Sequence, residues 1–318
     1  MIKRTLLAFL LLAIILVHTS IGQQKVEAAN VSKSELLTYW APQVYQDVRQ
    51  DRVLGYKYHE AGDHITKANF DNDWDLGNSW DRIRDEQDKY GALPAYAYTS
   101  FVETSTHYFL GYQYYHAIDD ALIPSDRHEN DLEDVYLVIK KNGGYGEFVL
   151  MTANSHGDMI RYAPSQIRFD QSNGNHPKVF ISANGDVINS SFDIGARGHS
   201  ISAYNPDKHN KWVGGDSVIY NVGNTAETPF DSSGVFEKSY TYQLLSINEL
   251  WERRWDVDSS PDATSTYEAY NLFNGRDERS GGNPPWQKLY FNDPAKYFND
   301  LYNIGSDLRY IVNPYKVN

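Results

Sequence analysis

The sequence contains no cysteine, so no disulfide framework can hold it together, and its stability must come from a sizeable core or from a bound ion. It also lacks any basic run: 29 Lys and Arg face 42 Asp and Glu, a net charge of −13. An acidic surface without a basic run repels phosphate backbones, which disfavours non-specific binding to nucleic acid or anionic membranes, and no nucleic-acid partner is expected. No apolar segment after the first twenty residues is long enough to span a bilayer. There is no G-x-S-x-G, no H-E-x-x-H and no phosphate-cradling glycine loop, so no recognised nucleophile or hydrolase motif is present.

What is there begins with an export signal. Lys3 and Arg4 precede an apolar run over 6–17, and Val26-Glu27-Ala28 offers small residues at the two positions a signal peptidase reads. Residues 1–28 are therefore expected to be a signal peptide, and the mature protein to be secreted, extracellular and without a transmembrane segment. Cleavage removes three basic residues and one acid, leaving 26 against 41, so the mature chain is more acidic still. Residues 29–318 are long enough for one domain with a substantial core. Tyrosine is heavily used, 25 residues beside seven Trp; such rings fill β-sandwich cores and also stack on sugars.

Along the chain, 34–45 reads as a short amphipathic helix limited by Pro42, and 79–89 as a second helix after the acidic turn Asp71-Asn72-Asp73-Trp74-Asp75. That turn is not an EF-hand loop, because Leu76 and Arg82 stand where glycine and a bidentate glutamate are needed. Strand patterns follow at 106–115, 134–140, 147–152, 178–182, 217–222 and 235–244. They are punctuated by Asn142-Gly143-Gly144, Asn173-Gly174-Asn175 and Asn184-Gly185-Asp186. The expected fold is mainly β, a β-sandwich core with peripheral helices at the N-terminus and in the C-terminal third. Ser246-x-x-Glu249 reads as a capping box opening a helix to 254, and another helix is expected over 293–303. No linker sets off the part from about 246, so it reads as a helical elaboration of a single domain.

The chemistry concentrates at Asp126-Arg127-His128-Glu129-Asn130-Asp131-Leu132-Glu133-Asp134, which runs into the apolar Val135-Tyr136-Leu137-Val138-Ile139. In an extended segment, Asp131 and Glu133 share a face with Val135, Leu137 and Ile139. Carboxylates at the mouth of a core-facing row cost several kcal/mol unless a metal ion or buried cation compensates them; the other reading is a solvated turn.

These residues, with Thr104-Ser105-Thr106-His107-Tyr108-Phe109-Leu110-Gly111-Tyr112, Asp119 and Ala196-Arg197-Gly198-His199-Ser200, resemble a superfamily. It joins the necrosis- and ethylene-inducing cytolysins to secreted proteins related to a yeast vacuolar sorting protein. The resemblance covers roughly 40–204. It implies metal ligation by His128, Asp131 and Glu133, with Asp119 as the upstream ligand and Asp120 as its competitor. Arg127, Asn130 and Leu132 depart from the cytolysin heptad, which places the chain nearer the vacuolar-sorting-related branch and sets cytolytic activity aside.

An oxygen-rich set with one imidazole suits Mg2+, Ca2+ or Mn2+ better than structural zinc. The expectation is a secreted metal-binding protein that takes a glycan or glycolipid head group on a target cell surface, toxin-like in kind. The alternative is a metal-dependent hydrolase of phosphoesters or glycans, with His156 or His199 as general base. His107, inside a strand, reads as a core residue.

Overall fold

The computed structural model describes residues 31–48, 52–53, 56–57, 60–85, 93–120, 127–155, 158–183, 198–211, 213, 215–256, 271–273 and 284–317. The expected signal peptide, the expected 184–186 turn and His156 lie outside them.

The described chain is mainly β. Its strands are β1 (Gln43–Asp47), β2 (Arg52–Val53), β3 (Tyr56–Lys57), β4 (Tyr96–Thr104), β5 (His107–Asp119), β6 (His128–Lys140) and β7 (Glu147–Ser155). There follow β8 (Asp158–Tyr162), β9 (Phe169–Asp170), β10 (His176–Ile181), β11 (Ile201–Ala203), β12 (Asp216–Gly223), β13 (Gly234–Ser246) and β14 (Tyr310–Val312). The helices are α1 (Lys33–Trp40), α2 (Ser79–Asp85), α3 (Pro206–His209), α4 (Asn248–Arg253), α5 (Leu289–Asn292) and α6 (Pro294–Tyr302).

Ten strands pair in the order β11-β10-β1-β12-β13-β4-β5-β6-β7-β8, with β14 on β4 and β9 on β10. The ladder curls until β11 lies against β6 and β7. Its two halves therefore face each other across a shared interior. Val44, Val179, Ile181, Val218 and Tyr220 from one half pack with Leu110, Tyr112, Val135, Leu137, Ile139 and Met151 from the other. On the outer face of β4 to β7, Tyr98, Phe109, Leu132, Tyr136 and Val138 are covered by Ile247, Leu250, Tyr290, Phe291, Phe298 and Tyr315. The C-terminal third thus forms a third layer, whose large apolar side chains each stabilise by about 1.5–3 kcal/mol when fully buried.

Several local expectations need correction. The first helix stops at Trp40, not 45. Ser32 accepts from the Glu35 N–H while Glu35 reaches back to the Ser32 N–H, fixing the start. Ala41 before Pro42 is extended, at φ −58 and ψ 128, so the chain leaves the helix and enters β1. Ser246 is the last residue of β13, and α4 has no side-chain cap; Ser246 Oγ instead accepts from the Asn248 N–H at 3.3 Å. The last long helix ends where expected, with Asn303 in the left-handed conformation at φ +49. In the acidic turn, Arg82 Nε lies 3.2 Å from Asp71, so a side-chain cation already answers that cluster.

Candidate metal and ligand centre

β5 and β6 are thirteen-residue antiparallel partners, and their register sets Asp119 opposite His128, His116 opposite Asp131 and Tyr114 opposite Glu133. The acidic segment is part of the strand rather than a turn before it, and Asp119, Asp131 and Glu133 are buried. Val135, Leu137 and Ile139 line the shared interior. The solvated-turn reading fails for this reason. Asn130, at φ +61, interrupts the alternation. Its side chain accepts from Tyr115 Oη at 2.7 Å and donates to the Leu76 carbonyl. Upstream of that break Glu129 takes the Trp80 N–H, on the outer side, and His128 Nε2 comes to 3.7 Å from Asp119 Oδ2.

Other elements close the cluster. His199 enters just ahead of β11 in the left-handed conformation, φ +51, and its Nδ1 lies 2.7 Å from Asp131 Oδ2. Its Nε2 lies 3.3 Å from Asp63 Oδ1. Gly198 must be glycine here, since a Cβ would sit 2.6 Å from Asp119 Oδ1. The ring of His116 stacks on that of His199 at 3.8 Å and 7°, and its Nε2 is 3.5 Å from Gln46 Oε1. His64 Nδ1 meets Tyr220 Oη at 2.8 Å.

The charges sort themselves. Burial would depress His199, but hydrogen bonds to Asp131 and Asp63 push it up to about 10, so it is an imidazolium at neutral pH. Burial would raise Asp131, but the His199 hydrogen bond and neighbouring histidines hold it below the usual carboxylate range. Burial, together with the His199 charge, keeps His116 neutral, well below the ordinary histidine value. Burial, then the charges of Asp131 and Asp134, drives Glu133 well above the usual range. Neither Glu133 oxygen receives a hydrogen bond among the described residues.

Donor atoms of His116, Asp131 and His199 fall within 4.8 Å of one another. They do not suit one ion. Imidazole binds a metal in its ring plane, and two stacked parallel rings aim their lone pairs in parallel rather than at a common point; both His199 nitrogens also face carboxylates. The expected set of Asp119, His128, Asp131 and Glu133 offers carboxylate oxygens and one imidazole, the donor types a hard divalent cation takes, and Glu133 has both its oxygens unbonded among the described residues. Of that set only Asp131 belongs to the 4.8 Å trio, so the four do not form a tight cage as they stand.

Sequence reasoning missed His116, Asp63, His64 and Gln46. A signal existed for the first: Leu110, Tyr112, Tyr114 and His116 alternate onto one face, the face Asp131 and Glu133 share. Asp63 and His64 come from an irregular segment, where no periodicity marks them.

Comparison with known proteins is sparse. No family model matches the chain, and no curated protein matches it. Among solved structures, one described as a toxin fold for microbial attack and plant defence is 16% identical, covering 56% of this chain and 70% of its own, at a TM-score of 0.32. One described as NLPPya in complex with glucosamine is also 16% identical over 56% and 70%, at 0.34. Necrosis and Ethylene inducing Protein 2, from the causal agent of cocoa's Witches Broom disease, is 18% identical over 48% and 64%, at 0.28. Likenesses this distant carry no argument about what the chain does, and they lend nothing to the vacuolar-sorting-related branch.

Proposed function

We propose that the protein is a secreted, divalent-cation-dependent binding protein whose ligand is a glycan or glycolipid head group. The observation that carries the cation is Glu133. A carboxylate at 0% exposure, with both oxygens unbonded among the described residues and Asp131 beside it, is a costly arrangement that a divalent ion would relieve. Asp119, Asp131 and Glu133 would supply oxygens and His128 an imidazole, a set that suits Mg2+, Ca2+ or Mn2+. Such an ion presents positions that hydroxyl oxygens of a sugar can take. His199 holds Asp131 in place from behind and is itself braced by Asp63.

The hydrolase reading is the weaker one. A general base needs a free lone pair, and His199 spends both nitrogens on carboxylates and is protonated at neutral pH. Of the expected candidates only His156 is left for that role.

Elemental analysis of the purified mature protein tests the proposal. One divalent ion per chain, lost in Asp131→Ala/Glu133→Ala, is the expected result, together with a component of glycan binding that disappears on chelation and in that variant. No ion in the wild type, or glycan binding wholly unaffected by chelation, would sink it.

A further inference from the structure

A cavity of about 1050 Å³ opens beside α1 and shares no residue with the acidic cluster. It is framed by α1, β1, the ends of β12 and β13, and the turn before β10. On β1 the two sites diverge by register: Gln43 reaches the groove, whereas Gln46 belongs to the cluster through His116.

The chemistry of the lining is distinctive in a chain this acidic. Five carboxamides face the groove, from Gln43, Asn173, Asn221, Asn224 and Gln243, together with several hydroxyls. The carboxylate and the ammonium in the lining are one each, Asp170 and Lys33, and Asp170 already accepts from Ser172 Oγ at 2.6 Å. Leu37, Leu244 and Leu245 supply apolar wall. Part of the amide set is fixed in place. Gln43 Nε2 donates to Asn221 Oδ1 at 2.6 Å, Asn221 Nδ2 donates to Ser239 Oγ at 2.6 Å, and Tyr45 Oη donates to Gln43 Oε1 at 3.2 Å.

We propose that this groove is a second ligand site, which takes a neutral oligosaccharide without a cation. A carboxamide both donates and accepts, as does a sugar hydroxyl, so a row of amides with little net charge matches a polyhydroxylated, uncharged ligand. An anionic or cationic ligand would need an excess of one sign, which the lining lacks. An extended peptide would need a free strand edge, and the groove offers it only a short one: on the β12 side β13 is unpaired over its last three residues, Leu244 to Ser246. The volume lies at the upper end of the range for small-molecule sites, roughly 300–1,000 Å³, enough for several sugar rings.

The test is saturation-transfer NMR on the full mature protein with cellotriose, maltotriose and chitotriose, in the presence of EDTA. Transfer to at least one trisaccharide is expected, with affinity then measured by calorimetry. Gln243→Ala/Asn221→Ala should weaken it by about tenfold or more, the loss of one to two hydrogen bonds. Because Asn221 also bonds Gln43 and Ser239, Asn224→Trp is the second variant; it places a ring in the groove from an exposed position and should abolish transfer. Transfer already present in EDTA separates this site from the cation site. The proposal is overturned by no transfer to any of the three sugars, by transfer that survives Asn224→Trp, or by transfer that appears only when a divalent ion is restored.

Discussion

Glu133 and Asp134 are consecutive residues on β6, both buried, and they point to opposite faces. Asp134 lies on the outer face under the C-terminal layer, where the Tyr290 hydroxyl and the Lys288 charge favour its charged form; burial still pushes it up to about 7, and its Oδ1 has no hydrogen-bond partner among the described residues. Glu133 lies in the interior between the two halves of the sheet, where its nearest charged neighbours include two further carboxylates and neither oxygen is hydrogen-bonded among the described residues. Lys288 acts on both groups and His199 on Glu133 as well, but Asp134 is left with one unbonded oxygen and Glu133 with two, beside the ionised Asp131. This difference of degree is the physical case for an ion on the inner face.

The largest expected effect tests the outer face. Phe298 is fully buried, stacks on Phe109 at 5.8 Å and lies 6.4 Å from Tyr136. Phe298→Ala should cost about 3–5 kcal/mol and lower a single cooperative denaturant transition. Two separated transitions would show that the C-terminal layer is an appended unit, and would break the comparison at its base.

Next comes the inner face. A divalent ion at a hundred times its Kd should stabilise the wild-type protein by about 2.7 kcal/mol, read as a rise in Tm. Glu133→Gln should lose that response, while in EDTA it should be about as stable as wild type, because a neutral amide of the same size replaces a buried carboxyl that burial and Asp131 already hold towards its neutral form. Asp134→Asn should keep the ion response. If Glu133→Gln keeps it and Asp134→Asn loses it, the assignment of the two faces is reversed.

The sequence showed half of this arrangement. Period-two alternation correctly set Asp131 and Glu133 on the face of Val135, Leu137 and Ile139. It could not show that the strand starts at His128 rather than 134, because polar residues read as turn until tertiary burial is known. Asn130 carries the reason His128 turns toward Asp119, and a single left-handed residue inside a strand leaves no periodic trace. The start of β1, Gln43-Val44-Tyr45, was hidden in the same way, read as the end of a helix although Pro42 separates the two. Asp63 and His199 lie 136 residues apart, and only the curl of the sheet brings them together. Long-range closure of this kind is invisible to local pattern.

A smaller effect sharpens the outer half of the comparison. Tyr290→Phe removes the hydroxyl that favours the charged form of Asp134 and should cost about 1 kcal/mol, since the carboxylate would keep its burial and lose that support. Asp134→Asn in the same background should recover part of that loss in a double-mutant cycle of urea melts. Additive costs would mean that Tyr290 acts through packing on Tyr136, 5.1 Å away, rather than through the hydrogen bond.

The smallest effect lies at the far end of the same β5–β6 ladder. His107 pairs with Lys140 and is buried, as expected of a core residue; its Nδ1 meets Thr106 Oγ1 at 2.9 Å. Burial, then the charges of Lys140 and Lys141, holds it below the ordinary histidine value. Above about pH 6.5 it is neutral in both folded and unfolded chains and has no effect. Below that, the unfolded chain takes up a proton that the folded chain resists, so stability falls as pH falls. The slope should be a fraction of the ~1.4 kcal/mol per pH unit that one full proton would give. Comparing wild type with His107→Gln in urea melts between about pH 7.5 and about pH 5.5 isolates this contribution, and the variant should be the less sensitive to acid. An equal acid sensitivity would show that the lysines at this end are screened by water, leaving the end with Asp131 and Glu133 as the one where buried charge matters.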